Sequence, residues 1–144
     1  MYNVVGSGAR RSFELTVGLR EGYGDHGKTH TLAEAEDLAV EWLKARAAEG
    51  RPFLPGTFFL GEVCYAWSGK IPDEAGGGHE PVAQYRGEVN PLYSADMTDE
   101  EAKRILMDLV SFLGRRLGQV RVYLVYRDEV FILQQEEKAT PTGE

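Results

Sequence analysis

The chain has one cysteine, Cys64, in 144 residues. Neither a disulfide framework nor a cysteine zinc site can form within it. It has no apolar run approaching the roughly 18 residues that a membrane-spanning helix needs, so no membrane partner is expected. Basic residues are in deficit: 16 Lys and Arg against 23 Asp and Glu leave a net charge of −7, which argues against a nucleic-acid partner. No secretory leader is legible either, because Arg10 and Arg11 follow the short apolar stretch at Val4-Val5 instead of preceding it. The reading is a cytoplasmic protein. What remains is an ordinary globular composition, 42% hydrophobic and 27% charged, over a length suited to one domain. Arginine exceeds lysine 11 to 5, as in proteins from GC-rich bacterial genomes.

Two periodicities organise the chain. Phe13, Leu15, Val17 and Leu19 alternate with Glu14, Thr16 and Gly18, the pattern of a strand with one buried face. After a polar, glycine-rich stretch from Arg20 to His30, Thr31-Leu-Ala-Glu34 reads as a capping box. It opens a helix whose apolar stripe runs through Leu32, Ala35, Leu38, Ala39, Trp42 and Leu43 to a stop at Gly50. Thr57 to Trp67 is a long aromatic and branched strand. Ser68 to Glu80, with Pro72 and Gly76-Gly77-Gly78, reads as a flexible connection, and Pro81 to Asn90 returns as a second hairpin strand. Thr98-Asp-Glu-Glu101 opens a second helix with Ala102, Ile105, Leu106, Leu109, Phe112, Leu113 and Leu117 in one stripe, closing near Gly114 or Gly118. Val120 to Tyr126 and Val130 to Leu133 form a last hairpin, and residues 136–144 form a charged tail expected to fray.

Strand, helix, strand, strand, helix, strand, plus one extra C-terminal strand, resembles the split βαβ, ferredoxin-like arrangement over about residues 12–135. The resemblance implies an α+β fold: a single domain with an antiparallel sheet and two helices on one face. Two helices cover one face only. The other is apolar here, with Phe59, Val63, Tyr65 and Trp67 on the second strand and Tyr123 and Val125 on the fourth. Such a patch marks an interface, so a homo-oligomer joined through the open sheet face is expected.

The string Gly22-Tyr-Gly24-Asp-His26-Gly27-Lys28-Thr29 fits G-x-x-x-x-G-K-[ST]. For those eight positions it resembles the phosphate loop of P-loop NTPases, in which backbone N–H groups curl round phosphate, lysine adds charge and threonine meets magnesium. The resemblance implies phosphate contacts from Gly22, Gly24, Gly27, Lys28 and Thr29. Nothing else follows that family: the helices are too few for repeated parallel crossovers.

A second possibility is a metal or acid–base site. Loops 20–30 and 68–80 leave a split βαβ sheet at the same end, which places His26, His30 and His79 on one rim. Cys64, mid-strand, reads as a buried structural thiol, and Glu62 and Glu88 as strand glutamates that could face each other. No complete catalytic constellation is visible, and no catalytic residue or cofactor is assigned. The expectation is therefore a non-catalytic module that binds a protein or small ligand. The alternatives are a phosphate- or nucleotide-binding protein using loop 22–29 and a histidine-based metal or acid–base enzyme.

Overall fold

Strand β1 (Ser12–Gly18) buries every second residue, as its alternation requires: Phe13, Leu15 and Val17 are all but inaccessible. In this computed structural model, which describes residues 1–22 and 27–136, β1 sits at the centre of a five-stranded sheet. The other strands are β2 (Thr57–Trp67), β3 (Gly76–Glu88), β4 (Arg121–Tyr126) and β5 (Glu129–Gln134), in the order β2-β3-β1-β4-β5. Every neighbouring pair is antiparallel. The α+β class is as expected. The order departs from a simple four-strand ferredoxin sheet by β5, which folds back on β4 through a turn at Arg127, a non-glycine residue held at φ 53°.

Helix α1 (Leu32–Ala48) starts where Thr31 Oγ1 accepts from the Glu34 amide at 3.1 Å. Helix α2 (Asp99–Arg116) starts with the same device, Thr98 Oγ1 accepting from Glu101 at 3.1 Å. Glu34 does not complete its capping box by reaching back to Thr31; its carboxylate takes His30 Nδ1 instead, at 2.6 Å. Gly50 and Gly118, both at positive φ, end the two helices. Gly114 does not end α2. It lies inside the helix, where a Cβ would stand 2.6 Å from Val122 Cγ1, so it lets α2 settle closely on β4.

Both helices pack on the face carrying Leu15, Tyr85, Leu124 and Phe131. Leu106, Leu109, Val110 and Leu113 of α2 close the core over them. Each such side chain contributes about 1.5–3 kcal/mol on burial. Trp42 and Arg46 join α1 to α2: the Trp42 indole donates to Asp108 at 2.9 Å, and Arg46 lies 4.8 Å over the Trp42 ring. At the far edge, Tyr126 donates to Asp99 at 2.6 Å, and Arg11 and Arg127 pair with the same carboxylate. No described helix is long and apolar enough to cross a membrane.

The structure differs from the sequence reading most at residues 76–80. They are strand, not a flexible connection: Gly76, Gly77 and Gly78 pair with Trp67, Ala66 and Tyr65. Only a short turn of helix, Pro72–Glu74, separates the two arms of the hairpin. The tail residues 137–144 lie outside the described residues.

Candidate functional site

The outward face of the sheet can be built row by row, because residues directly opposite each other share a face. One row, Phe59, Gln84, Thr16, Tyr123 and Ile132, crosses all five strands. The next, Gly61, Val82 and Gly18, carries almost no bulk. Beyond it Val63 stands opposite Glu80, Tyr65 opposite Gly78 and Trp67 opposite Gly76. Small residues form a floor between two aromatic walls, Tyr65 and Trp67 on one side and Tyr123 on the other. The result is a trough of about 1470 Å³.

Its ends are polar. Tyr65 donates to Glu80 Oε1 at 3.1 Å, fixing a carboxylate beside the aromatic wall. Arg20, Arg121, Gly22 and Gly118 border the opposite end. Gln119 lies over Gly18, where a Cβ would meet its Oε1 at 2.3 Å, and its amide donates to the carbonyls of Arg20 and Leu117. It thereby ties the glycine-rich loop to the turn after α2.

The two hairpin arms project past the helices, so their other face is open as well. There His79 Nδ1 meets Glu62 at 3.1 Å. Cys64, which pairs with His79 in register, is exposed. The thiol is not the buried structural one that its mid-strand position suggested, because no helix reaches that far along β2. Glu62 and Glu88 do not face each other. Glu62 stands opposite Pro81, whereas Glu88 stands opposite Ser12, accepts from its hydroxyl at 2.6 Å and pairs with Arg10.

The described ends of the glycine loop, on either side of residues 23–26, pair with each other. Leu19 O accepts from His30 N, the Glu21 amide donates to Lys28 O, and Arg20 bridges Thr29. These bonds join residues 19–21 to residues 28–30. Gly27 packs against Glu21 so tightly that any side chain there would collide with its carbonyl. Lys28 and Thr29 are exposed, and Gly22 reaches the trough's edge. Gly24 and His26 lie outside the described residues. Antiparallel pairing throughout the described strands also departs from the parallel sheet of a P-loop domain.

The rim of histidines is divided. His79 meets Glu62 on the other face of the hairpin, whereas His30 turns to a smaller cleft of about 470 Å³ with Asp37, Glu41 and Arg116. His30 is buried, between Glu34 at 2.6 Å and Glu21 at 3.6 Å. Among the described residues, no three His, Cys, Asp or Glu side chains gather as a metal site. Sequence reasoning missed Glu80 and the floor of the trough. The signal was there as Tyr65 and Trp67 at one spacing and Gly76 and Gly78 at the same spacing across a hairpin, but it needs the register to be read.

No family model and no curated protein matches the sequence. Solved structures do share the fold. A phage SAM lyase in complex with S-methyl-5'-thioadenosine superposes with a TM-score of 0.65 at 17% identity, covering 94% of this chain and 97% of that one. A phage SAM lyase in its apo state gives 0.60 at 18% identity, covering 96% and 98%. These likenesses overturn the expectation of a non-catalytic module: the solved structures that share the fold over most of the chain are those of a lyase.

Proposed function

We propose that this protein is a lyase acting on an S-adenosyl sulfonium such as SAM (S-adenosylmethionine), releasing S-methyl-5'-thioadenosine. The observation that carries the reading is the trough on the open sheet face, walled by Trp67, Tyr65 and Tyr123, with the carboxylate of Glu80 held by Tyr65. It supports this chemistry because a sulfonium is a cation without hydrogen-bond donors at its charged atom. Aromatic faces and carboxylates attract such an atom. The likeness to phage SAM lyase adds the fold.

The product retains both the methyl and the adenosyl group, so the bond that breaks joins sulfur to the γ-carbon of the amino-acid chain. Both bonding electrons pass to sulfur, which leaves as a neutral thioether. The four-carbon fragment completes its valence by closing on its own carboxylate or by surrendering a β-proton to a trough base such as Glu80. Neither route requires a second substrate.

Positive charge is lost as the bond breaks, which sets what a good site looks like. A tight carboxylate–sulfonium pair would stabilise the substrate more than the transition state and slow the step. A ring face attracts a cation by only about 0.5–2 kcal/mol and hydrates it poorly. A wall of rings with one carboxylate set beside it suits binding and charge loss together.

The homo-oligomer belongs to the same proposal. Val130 and Ile132 on β5 and Tyr123 on β4 are exposed on the open face, and a second copy seated on them would keep water from one side of the trough. The function is tested by incubating the purified protein with SAM and following products by chromatography. S-methyl-5'-thioadenosine should accumulate. Intact SAM, or S-adenosylhomocysteine in its place, would sink the reading.

A further inference from the structure

Three glycines inside a strand are a cost to the strand, since each weakens pairing and packs nothing. Backbone conformation does not demand them here. The described glycines at positive φ are Gly22, Gly50 and Gly118, and none of Gly76, Gly77 and Gly78 is among them. What demands them is the opposite strand. A Cβ at Gly76 would stand 2.3 Å from Trp67 Cζ2 and 2.6 Å from Cε2, inside the ring's own volume. A Cβ at Gly78 would stand 3.2 Å from the Tyr65 hydroxyl and 3.4 Å from Cζ. Both rings therefore lie across β3, with glycine beneath each.

The two rings lie side by side, centroids 6.2 Å apart and planes inclined by 34°. Trp67 is 52% and Tyr65 41% exposed. The Tyr65 hydroxyl is anchored on Glu80, which holds that ring in place along the strand. A flat, apolar, pre-positioned surface bordering a trough has the shape and chemistry to take a planar heteroaromatic ring.

We propose that Trp67 and Tyr65, bedded on Gly76 and Gly78, form the stacking platform for the purine base of the substrate. The inference rests on the lyase reading and deepens it: the base docks at the hairpin end, and the sulfonium chain extends over Glu80 toward Gly18. Gly76 and Gly78 are then positioning residues. They act through the rings by setting ring height and tilt.

Tryptophan emission tests this directly. The chain has two tryptophans, and Trp42 is buried between the helices, so the Trp42→Phe protein reports Trp67 alone. Should that variant fold poorly, acrylamide quenching of the wild-type protein separates exposed Trp67 from Trp42. Emission should change on titration with S-methyl-5'-thioadenosine or adenosine, and stay flat with S-methylmethionine, which has the sulfonium and amino-acid chain without the base. Trp67→Leu should weaken S-methyl-5'-thioadenosine by five- to a hundredfold and raise KM with kcat little changed. Trp67→Phe should recover part of the loss. Gly76→Val, which lifts the ring, should resemble Trp67→Leu in affinity although the indole is intact.

Binding of S-methyl-5'-thioadenosine by calorimetry with silent Trp67 emission, or a Kd for Trp67→Leu within twofold of wild type, would overturn the platform and leave the lyase reading standing. Base-dependent emission changes without cleavage of SAM would keep the platform and remove the lyase reading. Failure to bind any adenine nucleoside would remove both.

Discussion

At the scale of single residues, carboxylates carry the consequences easiest to measure. Glu80 is set beside the aromatic wall by Tyr65. Glu80→Gln removes its charge while keeping its shape, so kcat/KM for SAM should fall about ten- to a hundredfold, the worth of one hydrogen bond to a charged group. An unchanged melting temperature would assign the loss to the site. Glu88 acts on stability instead. The Ser12 hydroxyl, then Arg10 and the Arg11 amide, hold its carboxyl below the ordinary value. Asp99 is lowered in the same direction, first by the Tyr126 hydroxyl and then by Arg11. A depressed carboxylate stabilises the fold above its unfolded value, and that stability is lost as pH falls through the folded value. The melting temperature should therefore decline on the acid side of about pH 4.5. Glu88→Gln should flatten the decline and lower the plateau at neutral pH. A variant whose acid limb matches wild type would show that Glu88 has no part in it.

At the scale of elements, the helices were legible because their signals are local. Thr31 and Thr98 announce both N-termini, and both cap as the sequence predicts. Thr98→Ala should cost about 1 kcal/mol, read as a lower urea midpoint with an unchanged slope. A loss within a few tenths of a kcal/mol would mean that Asp99, held by Tyr126 and Arg11, fixes that end of α2 without the cap. β1 was legible for the same reason, since four alternating apolar residues fit only a half-buried strand. The distal hairpin was not. Glycine and proline at 72–78 read as punctuation in one dimension, whereas across a hairpin the same glycines are complements to Tyr65 and Trp67. Cys64 failed for a related reason. Its burial depended on how far α1 and α2 reach over β2, which no strand pattern encodes. The pairing of the residues that flank Gly22–Thr29, the His30 amide with Leu19 O and the Glu21 amide with Lys28 O, was likewise not legible in the motif itself.

At the scale of the molecule, charge and open surface work together. A net charge of −7 would attract the proposed cationic substrate and repel other copies of the chain, so the proposed association must rely on apolar contact. Val130 and Ile132, exposed on β5, are the residues that would supply it. Sedimentation at micromolar concentration should find an assembly larger than the single chain, and Ile132→Glu should return it to that chain. A wild-type protein that sediments only as the single chain would remove the oligomer from the proposal. The apolar outer face itself was foreseeable, because β2 and β4 alternate between two apolar sets. The concavity was not, because it arises from Gly18, Gly61 and Val82 aligning across three strands.

The central place of β1 also bears on how the chain is made. Leu15 pairs with Tyr85 on one side and with Leu124 on the other, so the strand synthesised first waits longest for its neighbours. While the ribosome produces α1 and β2, Phe13, Leu15 and Val17 have no sheet to join. After β3 arrives, one edge of β1 still stays open until α2 has been passed and β4 emerges. Long-range closure of this kind is slow, and an unpaired apolar edge invites pairing with other nascent chains. Polypeptides halted after α2 should therefore be caught by chaperones or aggregate, whereas completion of β4 closes the sheet in one late step.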